Sequence, residues 1–209
     1  MTKVLYIQAS PRKERSHAVA AADAFVEAYR RKDPAAEVTV VNVFDTALPP
    51  FDGPAVSGRY KLGHDLPATP EEKAAWDKVL GVISQFKAAD KYVFAVPMWN
   101  FGIPYRLKHY VDLVAHPTHT FGYNENGYFG LVTGKPVFVA YSRGGEYPPG
   151  TPAENYDFQK RYFELFLGFV GFTNISSVVV EPTLAGGPDV AGEKRQEAMR
   201  KAAALADSF

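Results

Sequence analysis

Five short, unbroken apolar runs, set apart by stretches whose apolar residues recur at helical spacing, constrain what this chain can fold into. The runs are Val4 to Ile7, Val38 to Val41, Tyr92 to Val96, Val137 to Tyr141 and Val178 to Val180. They are continuous rather than alternating, as in strands covered on both faces. Between them, Val19, Ala22, Val26 and Tyr29 line one helical face, and Trp76, Val79, Leu80, Ile83 and Phe86 line another. Thr69 can cap that second helix, with Pro70 at its first position and Glu71 and Glu72 in its first turn. Leu107, Tyr110, Val111 and Val114 line a third helix opened by Pro104, and Phe158, Tyr162, Leu165, Phe166 and Phe169 a fourth, aromatic one. An Ala-rich, charged stretch from Asp189 to Ala206 is a fifth. Strands alternating with helices predict a doubly wound parallel sheet with right-handed crossovers, and 209 residues predict a single domain over 1–209.

Charge and cysteine content narrow the function. Lys plus Arg and Asp plus Glu both number 23, and no long run of one sign occurs, so nothing points to a nucleic-acid partner or an anionic membrane. No cysteine is present, which excludes a disulfide scaffold, a zinc finger and thiol catalysis. No apolar run reaches the ~18 residues of a membrane span. The opening residues lack the basic flank and small-residue cleavage site of a secretory signal, so a cytoplasmic location is expected.

In open α/β sheets ligands bind beyond the carboxyl ends of the strands, so the loops after the first, third and fourth runs are the places to look. The first is Ser10-Pro11-Arg12-Lys13-Glu14-Arg15-Ser16-His17-Ala18. A serine at a helix start, with hydroxyls and cations beside unpaired amides, suits a phosphate. The glycine-rich dinucleotide signature is absent, since no glycine precedes Gly53. The second loop, Pro97-Met98-Trp99-Asn100-Phe101-Gly102-Ile103-Pro104, sets flat apolar side chains beside amides, which suits a heteroaromatic ring. The third, Ser142-Arg143-Gly144-Gly145-Glu146, lets backbone N–H groups approach a ligand closely. Two further segments break the rhythm: a Pro/Gly-rich loop from Phe44 to Pro70, and Pro117 to Lys135, read as an extended loop and a candidate binding element.

These motifs together resemble the FMN-dependent NADH:quinone oxidoreductases, also called FMN-dependent NADH-azoreductases. The resemblance takes in Thr120 to Gly127, Gly130 to Lys135 and Phe166 to Gly171, and extends over nearly the whole chain. It implies a flavodoxin-like fold, a three-layer α/β/α arrangement on a five-stranded parallel sheet of order 2-1-3-4-5. It also implies bound FMN, NADH or NADPH as donor, and a homodimer with active sites at the subunit interface. By the same resemblance Ser10, Ser16, His17 and Ala18 hold the phosphate. Met98, Trp99, Asn100 and Phe101 flank the isoalloxazine, with Pro97 heading the segment, and Ser142, Arg143, Gly144 and Gly145 reach the pyrimidine side. Ala18 stands where serine is common, and Trp99 where tyrosine is common.

The expected activity is two-electron reduction of quinones and reductive cleavage of azo compounds by ping-pong turnover. Flavin carries the chemistry, and no side chain is assigned as catalytic. Phe121, Tyr123 and Tyr128 are candidates to line the substrate pocket. Two alternatives share the scaffold: a flavin, nitro or metal-ion reductase, and a flavodoxin-type electron carrier. His116 and His119 have metal-like spacing without companion ligands, so no metal is expected, and His109 reads as structural.

Overall fold

The computed structural model describes residues 1–209. Its main sheet is parallel and five-stranded: β1 (Lys3–Gln8), β2 (Glu37–Asn42), β3 (Lys91–Pro97), β6 (Pro136–Ser142) and β7 (Asn174–Val180). The spatial order is β2-β1-β3-β6-β7. With the separate hairpin β4 (Phe121–Asn124) and β5 (Gly127–Gly130) set aside, this is the expected 2-1-3-4-5 succession.

Helices cover both faces. Val19, Ala22, Phe25 and Val26 of α1 (His17–Lys32) pack with Ala198 and Ala202 of α6 (Gly187–Leu205) over Val4, Tyr6, Val93, Phe138 and Val178. On the other face, Phe86 of α3 (Pro70–Ala88), Leu107, Tyr110 and Val114 of α4 (Tyr105–Val114), and Phe163 and Leu167 of α5 (Lys160–Val170) close over Leu5, Ile7, Phe94 and Val139. Thr69 caps α3 in a full capping box: its hydroxyl accepts from Glu72 N and the Glu72 carboxylate accepts from Thr69 N.

Four expectations are corrected. The Phe44 to Pro70 segment is not simply a loop, because Asp52 caps a ten-residue helix, α2 (Gly53–Leu62), with Pro54 in its first turn. Pro117 to Lys135 holds the β4–β5 hairpin rather than an irregular excursion. β2 lies at the sheet edge, so of its apolar run only Val41 is buried and Val40 stays exposed. The buried face of α5 is Phe163, Phe166, Leu167 and Val170, while Leu165 points to solvent and Phe158 lies before the helix.

Candidate active site

β1, β3 and β6 are neighbours, so the loops leaving their carboxyl ends are neighbours too. Ser142 lies in register with Pro97, and Met98 N donates to Ser142 O at 2.8 Å. Ala9 N donates to Ala95 O at 2.9 Å, tying the first loop to the second.

Ser16 caps α1, its hydroxyl oxygen accepting from Val19 N at 3.4 Å, while Ser10 Oγ accepts from Arg12 N at 3.3 Å. Both serines are buried, and neither hydroxyl proton has an acceptor in the chain. The N–H groups of His17 and Ala18, in the first turn, also lack acceptors. His17 Nδ1 is buried without a partner. Burial, then the guanidinium charges of Arg195 and Arg12, lowers its pKa below the ordinary value. Ala18, fully buried, can offer only its amide.

The second loop is a two-residue reversal. Trp99 N bonds to Gly102 O at 2.9 Å and Gly102 N returns to Trp99 O at 3.0 Å. Asn100 and Phe101 between them have φ of 47° and 69°. Asparagine tolerates that region; a phenylalanine held there stores roughly 1–3 kcal/mol, the kind of strain that gathers at functional sites. The turn leaves the Asn100 and Phe101 amides without acceptors and sets both side chains outward. Trp99 leans on Phe44 and Tyr105, with ring centroids 5.5 and 6.2 Å apart, while Phe101 lies 5.4 Å from Tyr156 at a 35° tilt. Phe158 N donates to Phe101 O at 3.0 Å.

In the third loop the Arg143 side chain turns inward. Its Nη2 meets Asp157 Oδ2 at 2.7 Å, its Nε donates to Gln159 Oε1 at 3.0 Å, and its Nη1 meets Glu181 Oε2 at 3.3 Å. Gln159 Nε2 passes the connection on to Val96 O at 2.7 Å. Arg143 therefore braces the ends of β3, β6 and β7 against the start of α5, and its own N–H is taken by Val180 O. Its guanidinium is thereby committed to the chain's own carboxylates and amide. What remains free here is the Ser142 hydroxyl and the backbone N–H groups of Gly144 and Gly145. A Cβ on Gly144 would meet Leu184 Cδ1 at 2.9 Å, whereas one on Gly145 would find nothing nearer than the Tyr147 hydroxyl at 3.9 Å. A side chain at Gly144 would have to displace the exposed Leu184 side chain, and Gly145 borders open space.

The hairpin aromatics do not join these loops within one chain. Phe121 and Tyr128 pack on Phe169, at 4.6 and 5.6 Å, in the last turn of α5, and Tyr123 lies 5.2 Å from Tyr128. The hairpin base is fixed there because a Cβ on Gly130 would lie 2.2 Å from Gly171 N: only glycine lets the two backbones meet. The Arg143 brace engages the opposite end of α5, roughly 15 Å away along the helix. Phe121, Tyr123 and Tyr128 therefore sit at the amino edge of the sheet, and the ligand-ready loops at its carboxyl edge.

His109 Nε2 bonds to Pro49 O at 2.9 Å, and His116 is buried against Phe51 and Trp76. A cavity of about 360 Å³ bounded by Arg59, Tyr60, His64, Trp76 and His119 is lined by none of the three loops. Sequence reading missed Tyr156, Asp157, Gln159, Glu181 and Arg195, all distant in sequence from the loops they support.

The free donors suit a phosphate joined to a planar ring: hydroxyls, amides and an orphaned imidazole at α1, exposed aromatics at the turn, and bare amides at the glycine pair.

The model of a family described as having a flavodoxin-like fold matches residues 2–206. An FMN-dependent NADH:quinone oxidoreductase of Nitratidesulfovibrio vulgaris is 57% identical, covering 100% of both chains. One from Desulfotalea psychrophila is 45% identical over 98% of this chain and 95% of its own. The crystal structure of an azoreductase from Bacillus anthracis superposes with a TM-score of 0.92 at 32% identity, covering both chains fully. An FMN-dependent NADH-azoreductase from the same species, solved in complex with FMN, gives 0.87 at 27% identity over 99% of this chain and 100% of the other. The chain belongs to the flavodoxin-like family and, within it, to the group named FMN-dependent NADH:quinone oxidoreductases.

Proposed function

We propose that this protein is an FMN-dependent NAD(P)H oxidoreductase that reduces quinones by two electrons and cleaves azo compounds reductively. The observation that carries this reading is the row of unpaired donors and exposed aromatics on three adjacent strand ends, in a chain whose relatives bear that activity in their names. Ser10, Ser16, His17 and Ala18 hold the FMN phosphate through two hydroxyls and the first amides of α1. Pro97 and Met98 lead into Trp99, Asn100 and Phe101, which would flank the ring, the unpaired Asn100 and Phe101 amides offering it donors. Ser142 and the amides of Gly144 and Gly145 meet the pyrimidine edge and stabilise negative charge there, as an oxyanion hole does. Arg143 acts as a positioning residue, holding that backbone in place through Asp157, Gln159 and Glu181. Bound FMN supplies the two-electron redox chemistry, so the chain needs no acid–base pair of its own.

The chain works in the cytoplasm as a homodimer in which the hairpin of one copy covers the ring held by the other. Supporting this, Tyr123 and Leu165 are each 71% exposed and Tyr128 is 68% exposed, an apolar face that one copy leaves uncovered. It lies at the wrong edge of the sheet to serve its own loops. Phe121, Tyr123 and Tyr128 then line the substrate pocket in trans.

One exposed ring face serves donor and acceptor in turn. Purified protein should carry flavin, and anaerobic NADH alone should bleach it no more slowly than turnover. Double-reciprocal plots at several quinone concentrations should be parallel. Intersecting lines with acceptor-dependent bleaching would mean that both substrates bind at once, and failure of NADH to bleach the flavin would leave an electron carrier.

A further inference from the structure

The start of α1 carries one feature that the backbone donors do not account for. His17 Nδ1 is enclosed, yet no acceptor or donor of the chain meets it. Leaving a buried ring nitrogen unpaired is costly, and such groups in native structures call for an explanation. Arg12 comes from the loop before the helix, and Arg195 reaches in from α6, where its Nη2 donates to Glu14 O at 3.1 Å. Asp23, one and a half turns further along α1, is occupied by the Tyr6 hydroxyl at 2.8 Å. Lys13 is paired with Asp45 at 3.3 Å, and the Glu14 and Arg15 side chains complete the charged groups of the loop. The imidazole thus sits among cations beside two unused hydroxyl protons and two unused amides, with no anion bonded to it.

We propose that His17 is a proton-coupled clamp for a phosphate monoester: it takes up a proton as the phosphate docks, and the imidazolium then bonds to the phosphate. The proposal rests on the reading that the FMN phosphate lies at this helix start. Before binding, burial and the two guanidiniums hold the ring neutral. A phosphate dianion offsets both cations and supplies the missing acceptor, so the charged ring becomes the favoured form. The proton comes from solvent, and no covalent bond changes. Between the ring's free and bound pKa, FMN affinity should fall with rising pH by up to about tenfold per pH unit. Above about pH 7 the free ligand is already the dianion, because its second pKa is near 6, so the dependence there reports on the protein.

Titration calorimetry of the full chain, freed of flavin, tests this at about pH 7 in phosphate-free buffers of different ionisation enthalpy. Wild type should take up close to one proton per FMN, and its dissociation constant should rise several-fold from about pH 7 to pH 8. Riboflavin should bind far more weakly and with no uptake. His17→Gln, which keeps a neutral donor, should retain FMN with neither uptake nor pH dependence. Nitrogen-15 shifts of the wild-type His17 ring should independently change from neutral to protonated on adding FMN. Tight FMN binding without proton uptake, or equal uptake by His17→Gln, would overturn the clamp and leave the phosphate site standing. Equal affinity for FMN and riboflavin would overturn the phosphate site, and the clamp with it.

Discussion

Replacing His116 with leucine should remove a defined part of the fold's acid sensitivity. The His116 ring is only 3% exposed, edge-on to Trp76 at 4.9 Å and to Phe51 at 5.2 Å, and its Nε2 has no partner. Burial first, then the charges of Arg59 and His119, lower its pKa from 6.5 to about 4. The unfolded chain therefore binds a proton near pH 6.5 that the native chain refuses until about pH 4. In that interval the unfolded state holds more protons, so stability falls with falling pH, and above it this residue has no effect. Integrating the difference gives a loss of about 2 kcal/mol by pH 5 and about 3 kcal/mol by pH 4. Urea denaturation of both proteins at a series of pH values should show wild type losing about 2 kcal/mol more than His116→Leu between pH 7.5 and 5. His17 is also depressed but titrates in both proteins, so it cancels in the difference. The bond from His116 N to Thr120 Oγ1 is made by the backbone and survives the change. Superimposable pH profiles would refute the argument that this ring is kept neutral by its enclosure.

Three further outcomes follow from the site. Gly145→Val should lose flavin, while its flavin-free form melts as the flavin-free wild type does, since a Cβ there meets nothing nearer than 3.9 Å; full flavin content in Gly145→Val would take that loop out of the site. Asp157→Ala should cost about 3–5 kcal/mol in urea unfolding, since it leaves the Arg143 guanidinium buried without its nearest carboxylate; a loss below ~1 kcal/mol would mean the brace is not under tension from burial. Thr69→Ala should cost about 1 kcal/mol through the capping box alone and leave flavin affinity unchanged, and a change in flavin binding would contradict the separation of α3 from the loops.

How much was legible in the sequence follows the range of the interactions. Val4 to Ile7 and Tyr92 to Val96 announce strands because both faces of the sheet are covered there. Thr69, Pro70 and Glu72 announce a helix start because a capping box is complete within four residues. α2 was hidden because Gly53, Pro54 and Gly58 lower helix propensity, while its support comes from packing on α3: a Cβ on Gly58 would meet Glu72 O at 2.3 Å. The face of α5 was misjudged because the helix is apolar on two sides, and periodicity alone does not rank them. The three loops could be found from the rule about strand ends. The fate of Arg143 could not, since Asp157, Gln159 and Glu181 follow it by 14, 16 and 38 residues with no local pattern linking them. Arg195 lies further still from Glu14, and only the packing of α6 on α1 brings it there.

The hairpin and the loops are held at opposite ends of the sheet by α5 and by the seven residues of β6, roughly 20 Å of rigid structure. In the proposed dimer each working centre is therefore a joint product, half encoded by each copy. Two defective alleles, one damaged at Tyr123 and Tyr128 and the other at Gly145, would each be inactive alone. Co-expressed, they would form mixed pairs containing one centre with both lesions and one with neither. Activity would return through assembly without any repair of either gene, and dilution to the point of dissociation would abolish it again.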